Sequence, residues 1–262
     1  MQSQQPETAI TNRKSTKTST QVGSRAEIEA CLEQAFDAAF TATQQGQFAA
    51  AEGFWGDAIE CAPNNPAAWS NRGNARVSQF KLEAAIADFD QAIQLAPTSP
   101  DPYINRGTAL EGLARYQAAI ADYNRALELD PNDAVAYNNR GNAAGSLGEW
   151  ETALSDFQVA ARLRPGFALA SVNQALALYE LGELQDATRQ LKNLARKYPQ
   201  FADARAALTA VLWEQGARGE AESNWYAVMG LDRRYRDISW LQTIRRWPPD
   251  VVQALEGFLN LN

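Results

Sequence analysis

The chain has 262 residues, 45% hydrophobic content, a net charge of −7, two cysteines and no histidine. This composition allows a sizeable buried core, while the missing histidine excludes Ser-His-Asp and Cys-His catalytic arrangements and imidazole metal sites. The sequence also has no GxGxxG or GxxxxGK[ST] phosphate loop. We therefore expect a protein that is not an enzyme and has no catalytic, metal-binding or cofactor-binding residues.

The N-terminal segment differs in composition from the rest of the chain. Residues 1–25 carry a net charge of +3, which leaves −10 for the remainder. The segment is rich in Ser, Thr and Gln and lacks the apolar stretch of a secretory signal, so we expect a disordered polar tail. A weak likeness to an organelle transit peptide is the alternative. The acidic body argues against nucleic-acid binding, and no apolar run is long enough for a transmembrane segment.

Residues 26–235 are built from an internal repeat. Proline recurs every 34 residues, at Pro63, Pro97, Pro131, Pro165 and Pro199. Alanine keeps the same interval, at Ala51, Ala85, Ala119, Ala153, Ala187 and Ala221. The interval predicts six units, which we place at 32–65, 66–99, 100–133, 134–167, 168–201 and 202–235.

Each unit is predicted to be a pair of helices. Small and apolar residues recur at steps of three and four, which is helical spacing. A break near Gln79–Lys81 separates the two helices of the second unit, and Pro97 ends its second helix. We expect the small residue of the first helix, such as Gly73, to face the recurrent alanine of the second helix, such as Ala85.

These features resemble the tetratricopeptide repeat (TPR), which has a period of 34, two helices per unit and the pattern W/Y-x2-L-G-x2-Y…A-x3-F/Y-x2-A…P. Trp69, Tyr103 and Tyr137 begin the three units that fit best, and the other three are more divergent. The resemblance implies an all-α, right-handed superhelical solenoid whose concave face is lined by the first helix of each unit. It also implies that the partner is another protein, which contributes a peptide segment to this groove.

The central units depart from the family where Leu is usual. They have Arg72, Arg106 and Arg140 instead, each followed sixteen residues later by an aspartate. The aspartates are Asp88, Asp122 and Asp156, and the units that lack the arginine lack the aspartate too. A structural ladder of ion pairs is our favoured interpretation, and anion recognition by the arginines is the alternative.

The register of the family predicts the residues that line the groove. In the central units they are Asn71, Asn74, Asn105, Thr108, Asn138, Asn139 and Asn142. Asparagine offers donors and an acceptor, so a row of it can pair with the backbone of an extended peptide. Towards the C-terminus the corresponding residues become apolar and include Tyr179 and Trp213. They either bind a partner or are covered by the chain's own C-terminal segment, and we favour coverage.

Residues 236–262 are predicted to form capping helices, because the last unit of a solenoid needs a cover. Asp237 is expected to cap a helix over residues 238–246, and a last helix is expected from Asp250 to about Leu259. A basic cluster consists of Arg233, Arg234, Arg236, Arg245 and Arg246. It is either a solvated rim or a contact for an anionic ligand or membrane surface, which is the alternative function.

The two cysteines, Cys31 and Cys61, are predicted to lie at neighbouring ends of the first helical pair. We favour Cys61 as a buried free thiol over a disulfide with Cys31, and Cα atoms more than about 7 Å apart would exclude the bond. Two cysteines favour a reducing compartment, so we expect a cytoplasmic protein. The Asn-Arg-Gly units and the RRWPP sequence resemble TPR proteins of cyanobacteria and chloroplasts, which implies assembly or regulation of the photosynthetic apparatus and, as an alternative location, the chloroplast stroma or thylakoid surface.

Overall fold

A computed structural model describes residues 24–260. This part of the chain forms fourteen α-helices and one short 3-10 helix, without any strand. The α-helices are α1 Arg25–Gln44, α2 Phe48–Cys61, α3 Pro66–Val77, α4 Leu82–Leu95, α5 Asp101–Gly112, α6 Tyr116–Leu129, α7 Ala134–Ser146, α8 Trp150–Leu163, α9 Ala168–Glu180, α10 Leu184–Lys197, α11 Ala202–Glu214, α12 Arg218–Leu231, α13 Ile238–Thr243 and α14 Pro249–Leu259. The predicted N-terminal tail lies outside the described residues, except that Ser24 and Arg25, which we assigned to it, cap and begin α1.

Helices α1 to α12 form six consecutive hairpins. The turn inside every hairpin contains a residue with positive φ, and these residues are 34 apart. Glycine holds four of the six turns, for example Gly148 with φ of 79°. Phe80 and Ala114 hold the other two with φ of 58° and 57°, a conformation that strains a residue with a Cβ.

Close packing within the central hairpins depends on a glycine of the first helix. A Cβ added at Gly73 would lie 2.6 Å from the ring of Phe89, and one at Gly107 would lie 2.6 Å from the ring of Tyr123. The glycine therefore faces the aromatic residue of the second helix. The ring of Phe89, four residues after Ala85, occupies the space that the missing side chain leaves, and the expected contact between Gly73 and Ala85 stays a prediction.

The hairpins stack so that the first helices form one continuous layer. Helix α3 contacts α5, α5 contacts α7, α7 contacts α9, and α9 contacts α11. Each second helix from α2 to α10 contacts the first helix of its own hairpin and that of the next. This arrangement confirms the all-α solenoid of helical hairpins, and it places the predicted groove residues on the layer of first helices.

The C-terminal segment folds back onto this layer. The 3-10 helix, η1 Arg233–Arg236, follows α12, and α14 packs against α11 and α9. Val251, Leu255 and Phe258 of α14 are buried in one core with side chains of the last two hairpins. Coverage of the apolar end of the groove by the chain itself, which we favoured, is confirmed. Asp237 caps α13 as expected, but the helix ends at Thr243 rather than at residue 246.

The two cysteines form a disulfide between α1 and α2, with Cα atoms 6.0 Å apart. Our preference for Cys61 as a free core thiol was wrong. The antiparallel hairpin brings the start of α1 and the end of α2 within bonding reach, despite a sequence separation of 30 residues. The disulfide closes the first hairpin covalently, and this hairpin begins the described part of the solenoid.

Candidate protein-binding groove

The wall of the groove is stiffened by a ladder of buried ion pairs. In three successive hairpins an arginine of the first helix donates two hydrogen bonds to the aspartate sixteen residues later. For Arg106 and Asp122 the two donor–acceptor distances are 2.8 and 2.6 Å, and Asp122 is only 6% exposed. The predicted pairs Arg72–Asp88, Arg106–Asp122 and Arg140–Asp156 are confirmed.

Each ladder arginine has further contacts. Its guanidinium lies over the aromatic ring that precedes it by three residues, for example 4.8 Å from the ring centroid of Trp69 for Arg72. Arg106 also reaches Asp90 of the preceding hairpin at 2.5 Å, and this network of carboxylates raises its pKa. All three arginines are thus held by contacts within the protein. This excludes the alternative in which they point freely into the groove and recognise an anion.

The first part of the groove is open. Asn74 is exposed, and Asn71, Asn105 and Thr108 are partly exposed on α3 and α5. Their amide and hydroxyl groups lie on the layer of first helices, and Thr108 also donates to the carbonyl of Ile104 at 3.1 Å. This surface offers donors and acceptors without a free charge among these four side chains.

Helices α7 and α9 carry a network of asparagines that is only partly evident from the sequence. Asn173 of α9 donates to the Oδ1 atoms of Asn138 and Asn142 at 3.0 and 3.1 Å, and Asn138 donates to Asn139 at 3.3 Å. Asn138 is only 2% exposed, so our assignment of it to the binding surface needs correction. Asn173 stands 34 residues after Asn139, and the period of the repeat could have identified it.

The last part of the groove is closed by α14. Tyr179 is buried, and burial together with nearby carboxylates raises its pKa to about 12. The ring of Trp213 packs edge-on against Phe258, with 5.6 Å between centroids. Tyr179 and Trp213, for which partner binding was the alternative to coverage, therefore pack against the chain's own helix.

The basic cluster is largely paired with the chain's own carboxylates. Arg234 bonds Asp232 at 2.7 Å, Arg245 bonds Asp203 of α11, and Arg246 bonds Glu111 of α5 at 2.7 Å. The remaining two, Arg233 and Arg236, are exposed on η1. This pairing weakens the cluster as a site for an anionic ligand.

Glu111 is the main groove residue that the sequence did not reveal. It is 6% exposed, and burial raises its pKa to about 7 although the positive charge of Arg246 lowers it in part. The corresponding residues of the neighbouring units are Val77 and Gly145, so no repeat pattern identifies an acid at this position. Its ion pair with Arg246 spans 135 residues of sequence and ties the C-terminal segment to the open part of the groove.

Residues 24–260 contain no group of three or more His, Cys, Asp or Glu side chains arranged to hold a metal ion. None of the helices found there is both long and apolar enough to cross a membrane.

Comparison with known proteins agrees with this geometry. The model of the TPR repeat family matches residues 73–113 and 115–148, and a tetratricopeptide-repeat model matches residues 172–232. Together they cover slightly more than half of the chain. No curated protein matches the sequence.

Several solved structures share the fold. A tetratricopeptide-repeat protein from Parabacteroides merdae is 17% identical with a TM-score of 0.68, over 89% of this chain and 94% of the other. The MamA protein is 24% identical with a TM-score of 0.57, over 66% and 94%. YrrB, described as a TPR protein with an unusual peptide-binding site, is 20% identical with a TM-score of 0.54, over 73% and 97%. At these identities the likeness concerns the fold.

Proposed function

Because this chain belongs to the tetratricopeptide-repeat family, we propose that it is a non-catalytic scaffold that binds an extended or helical segment of another protein. The observation that carries the proposal is the open part of the groove on α3 and α5, where Asn71, Asn74, Asn105 and Thr108 remain accessible. The described peptide-binding site of YrrB, a protein of similar fold, is consistent with this function.

The chemistry of the surface favours recognition of backbone over recognition of charge. An asparagine amide can donate to a peptide carbonyl and accept from a peptide N–H, so a row of asparagines can pair with successive residues of a bound strand. The arginines beneath this surface are held by Asp88 and Asp122. They tie α3 and α5 to the second helices of their own hairpins and leave specificity to the polar side chains above them.

The finer assignments stay predictions. A role in assembly or regulation of the photosynthetic apparatus derives only from the resemblance of the Asn-Arg-Gly units and the RRWPP sequence. The cytoplasmic location, with the chloroplast as its alternative, is likewise only an expectation, and the disulfide between Cys31 and Cys61 removes the argument from a reducing compartment. The adaptor function for an anionic ligand or membrane surface has Arg233 and Arg236 as the exposed cations of the cluster outside its ion pairs, because Arg234, Arg245 and Arg246 are paired with carboxylates.

Capture from an extract of the source cells tests the function. We expect the wild-type chain to retain a partner that an Asn71/Asn74/Asn105→Ala variant loses. The matched control replaces three exposed glutamines of the second helices, Gln91, Gln117 and Gln158, and should retain the partner. Retention through asparagines should persist at 0.5 M salt, whereas capture through arginines should fall steeply. Equal capture by both triple variants would contradict the proposal.

A further inference from the structure

The connection between α13 and α14 crosses the groove in an unusual conformation. This connection, residues 244–248, is called the arm below. Arg246 has a φ of 50°, which is left-handed and strained for a residue with a Cβ, and Pro248 is extended with ψ of 147°. A strained residue persists only where surrounding contacts hold it, and such residues concentrate at functional sites and switches. The contacts that hold the arm therefore indicate what the groove recognises.

The arm and the start of α14 meet carboxylates of three different first helices. Arg246 donates to Glu111 of α5 at 2.7 Å, and Arg245 pairs with Asp203 of α11. The backbone N–H groups of residues 250 and 251 donate to Glu180 of α9 at 3.1 and 3.3 Å. A basic segment thus lies on acids that the solenoid supplies, with opposite charges at the two arginine contacts and neutral backbone donors at Glu180.

An aromatic anchor and a cavity complete the arrangement. Trp247, beside Arg246, is 6% exposed and packs in the C-terminal core near Tyr235. Beneath the arm lies a cavity of about 200 Å³, lined among others by Asn142, Asn173 and Trp150. The arm leaves this space unfilled, although the asparagines and the aromatic ring that line it are suited to hold a peptide.

We propose that the arm is a built-in ligand of the groove, and that the partner is a protein segment of the same chemistry which displaces the arm. Such a segment has an arginine followed by a large aromatic residue and prolines in extended conformation. This inference rests on the proposed function and names the class of partner. The incoming arginine takes the place of Arg246 on Glu111, and the incoming aromatic residue and prolines lie along α7, over the cavity.

Displacement of the arm is feasible because α14, which caps the solenoid, has core contacts of its own. Helix α14 is anchored by Val251, Leu255 and Phe258 in the core, whereas α13 packs mainly on η1 and α14. The arm can lift while α14 stays in place, provided that Trp247 leaves the core and Arg245 leaves Asp203. Its tether gives it a high effective concentration at the groove, so a partner must bind more tightly than the arm does or meet a weakened arm. Release also relieves the strained backbone at Arg246.

The test uses the full chain and a fluorescent nine-residue peptide with the sequence of residues 242–250, QTIRRWPPD. We expect the Arg246→Ala chain to bind this peptide about tenfold more tightly than wild type, because the competing ion pair is removed. A Glu111→Gln/Arg246→Ala chain should lose most of this binding. A scrambled peptide is the matched control, and thermal unfolding verifies that each variant is folded.

A second measurement, amide hydrogen exchange, reports how firmly the arm is held in place. The N–H of Trp247 is hydrogen-bonded to the carbonyl of Leu241 at 3.0 Å, and its exchange should accelerate in the Arg246→Ala chain. Unchanged exchange, equal peptide affinity of wild type and variant, or no effect of Glu111→Gln would each overturn the inference. A concentration-dependent dimer that the peptide dissolves would instead assign the groove to a second copy of this chain. Failure of the proposed function is distinguishable, since that function is tested at the asparagines of α3 and α5.

Discussion

Removing only the aspartate of one ladder pair should lower the free energy of unfolding far more than replacing both members of that pair. In Asp122→Ala, Arg106 loses two charge-assisted hydrogen bonds at 2.8 and 2.6 Å inside the hairpin. Removing one partner of a buried pair typically costs 3–5 kcal/mol. Arg106 keeps Asp90 at 2.5 Å and its side chain is 24% exposed, so we expect about 3 kcal/mol, the lower end of that range.

The ladder offers an internal comparison. Arg140 has the same bidentate bond to Asp156, but its second partner is the neutral Asn124 at 2.7 Å. Asp156→Ala should therefore destabilise more than Asp122→Ala, by about 1 kcal/mol. Replacing both members by Arg106→Leu/Asp122→Asn, the residues of the sixth unit, should cost less than about 1 kcal/mol, because no buried charge is left unpaired.

Urea unfolding at pH 7, followed by circular dichroism, measures these differences. Glu128→Ala provides the control for an exposed pair, since Glu128 bonds Arg125 at the surface and its loss should change stability by less than about 0.5 kcal/mol. An Asp122→Ala chain as stable as Glu128→Ala, or a double variant as unstable as Asp122→Ala alone, would refute the stabilising role of the buried pair.

Three further predictions concern other parts of the chain. Cys31→Ser/Cys61→Ser should lose about 3.6 kcal/mol from loop-closure entropy over 30 residues, and thermal unfolding of the reduced wild type should match the variant. Ala114→Gly should stabilise by about 1 kcal/mol because φ there is 57°, while the control Ala121→Gly inside α6 should destabilise by about 1 kcal/mol in the same urea assay. Burial raises the pKa of Glu111 to about 7, so the folded state binds a proton at this carboxyl more tightly than the unfolded state does. The free energy of unfolding should therefore fall by up to about 3 kcal/mol as pH rises from 4.5 to 7. Glu111→Gln should reduce this pH dependence, and an identical dependence in both chains would contradict the assignment.

The fold was predictable because the signal is repeated. Pro97 and Gly148 mark boundaries that recur every 34 residues, so each unit supports the interpretation of the next. The ladder was predictable for the same reason, since Arg106 and Asp122 occur together in three units and are absent together from the others.

The site was harder to predict because its decisive contacts occur once. The pairing of Glu111 with Arg246 joins residues 135 apart and belongs to no repeat. The burial of Asn138 results from its bond with Asn173 on the next first helix, which depends on how closely the hairpins pack. Cys61 stands at a position that leucines occupy in other units, so the repeat pattern indicated a core side chain there. The disulfide with Cys31 occurs only in the first unit, and the pattern did not predict it.

Site-specific photo-crosslinking tests the central claim, that the concave groove binds a segment of another protein. A photoreactive residue at Asn74 in the open part of the groove is compared with one at Gln117, exposed on α6. We predict that Asn74 traps a polypeptide in extracts of the source cells and that Gln117 does not, with the cross-link lost in the presence of Asn71→Ala and Asn105→Ala. Cross-links of equal yield at both positions, or at Gln117 alone, would contradict the account.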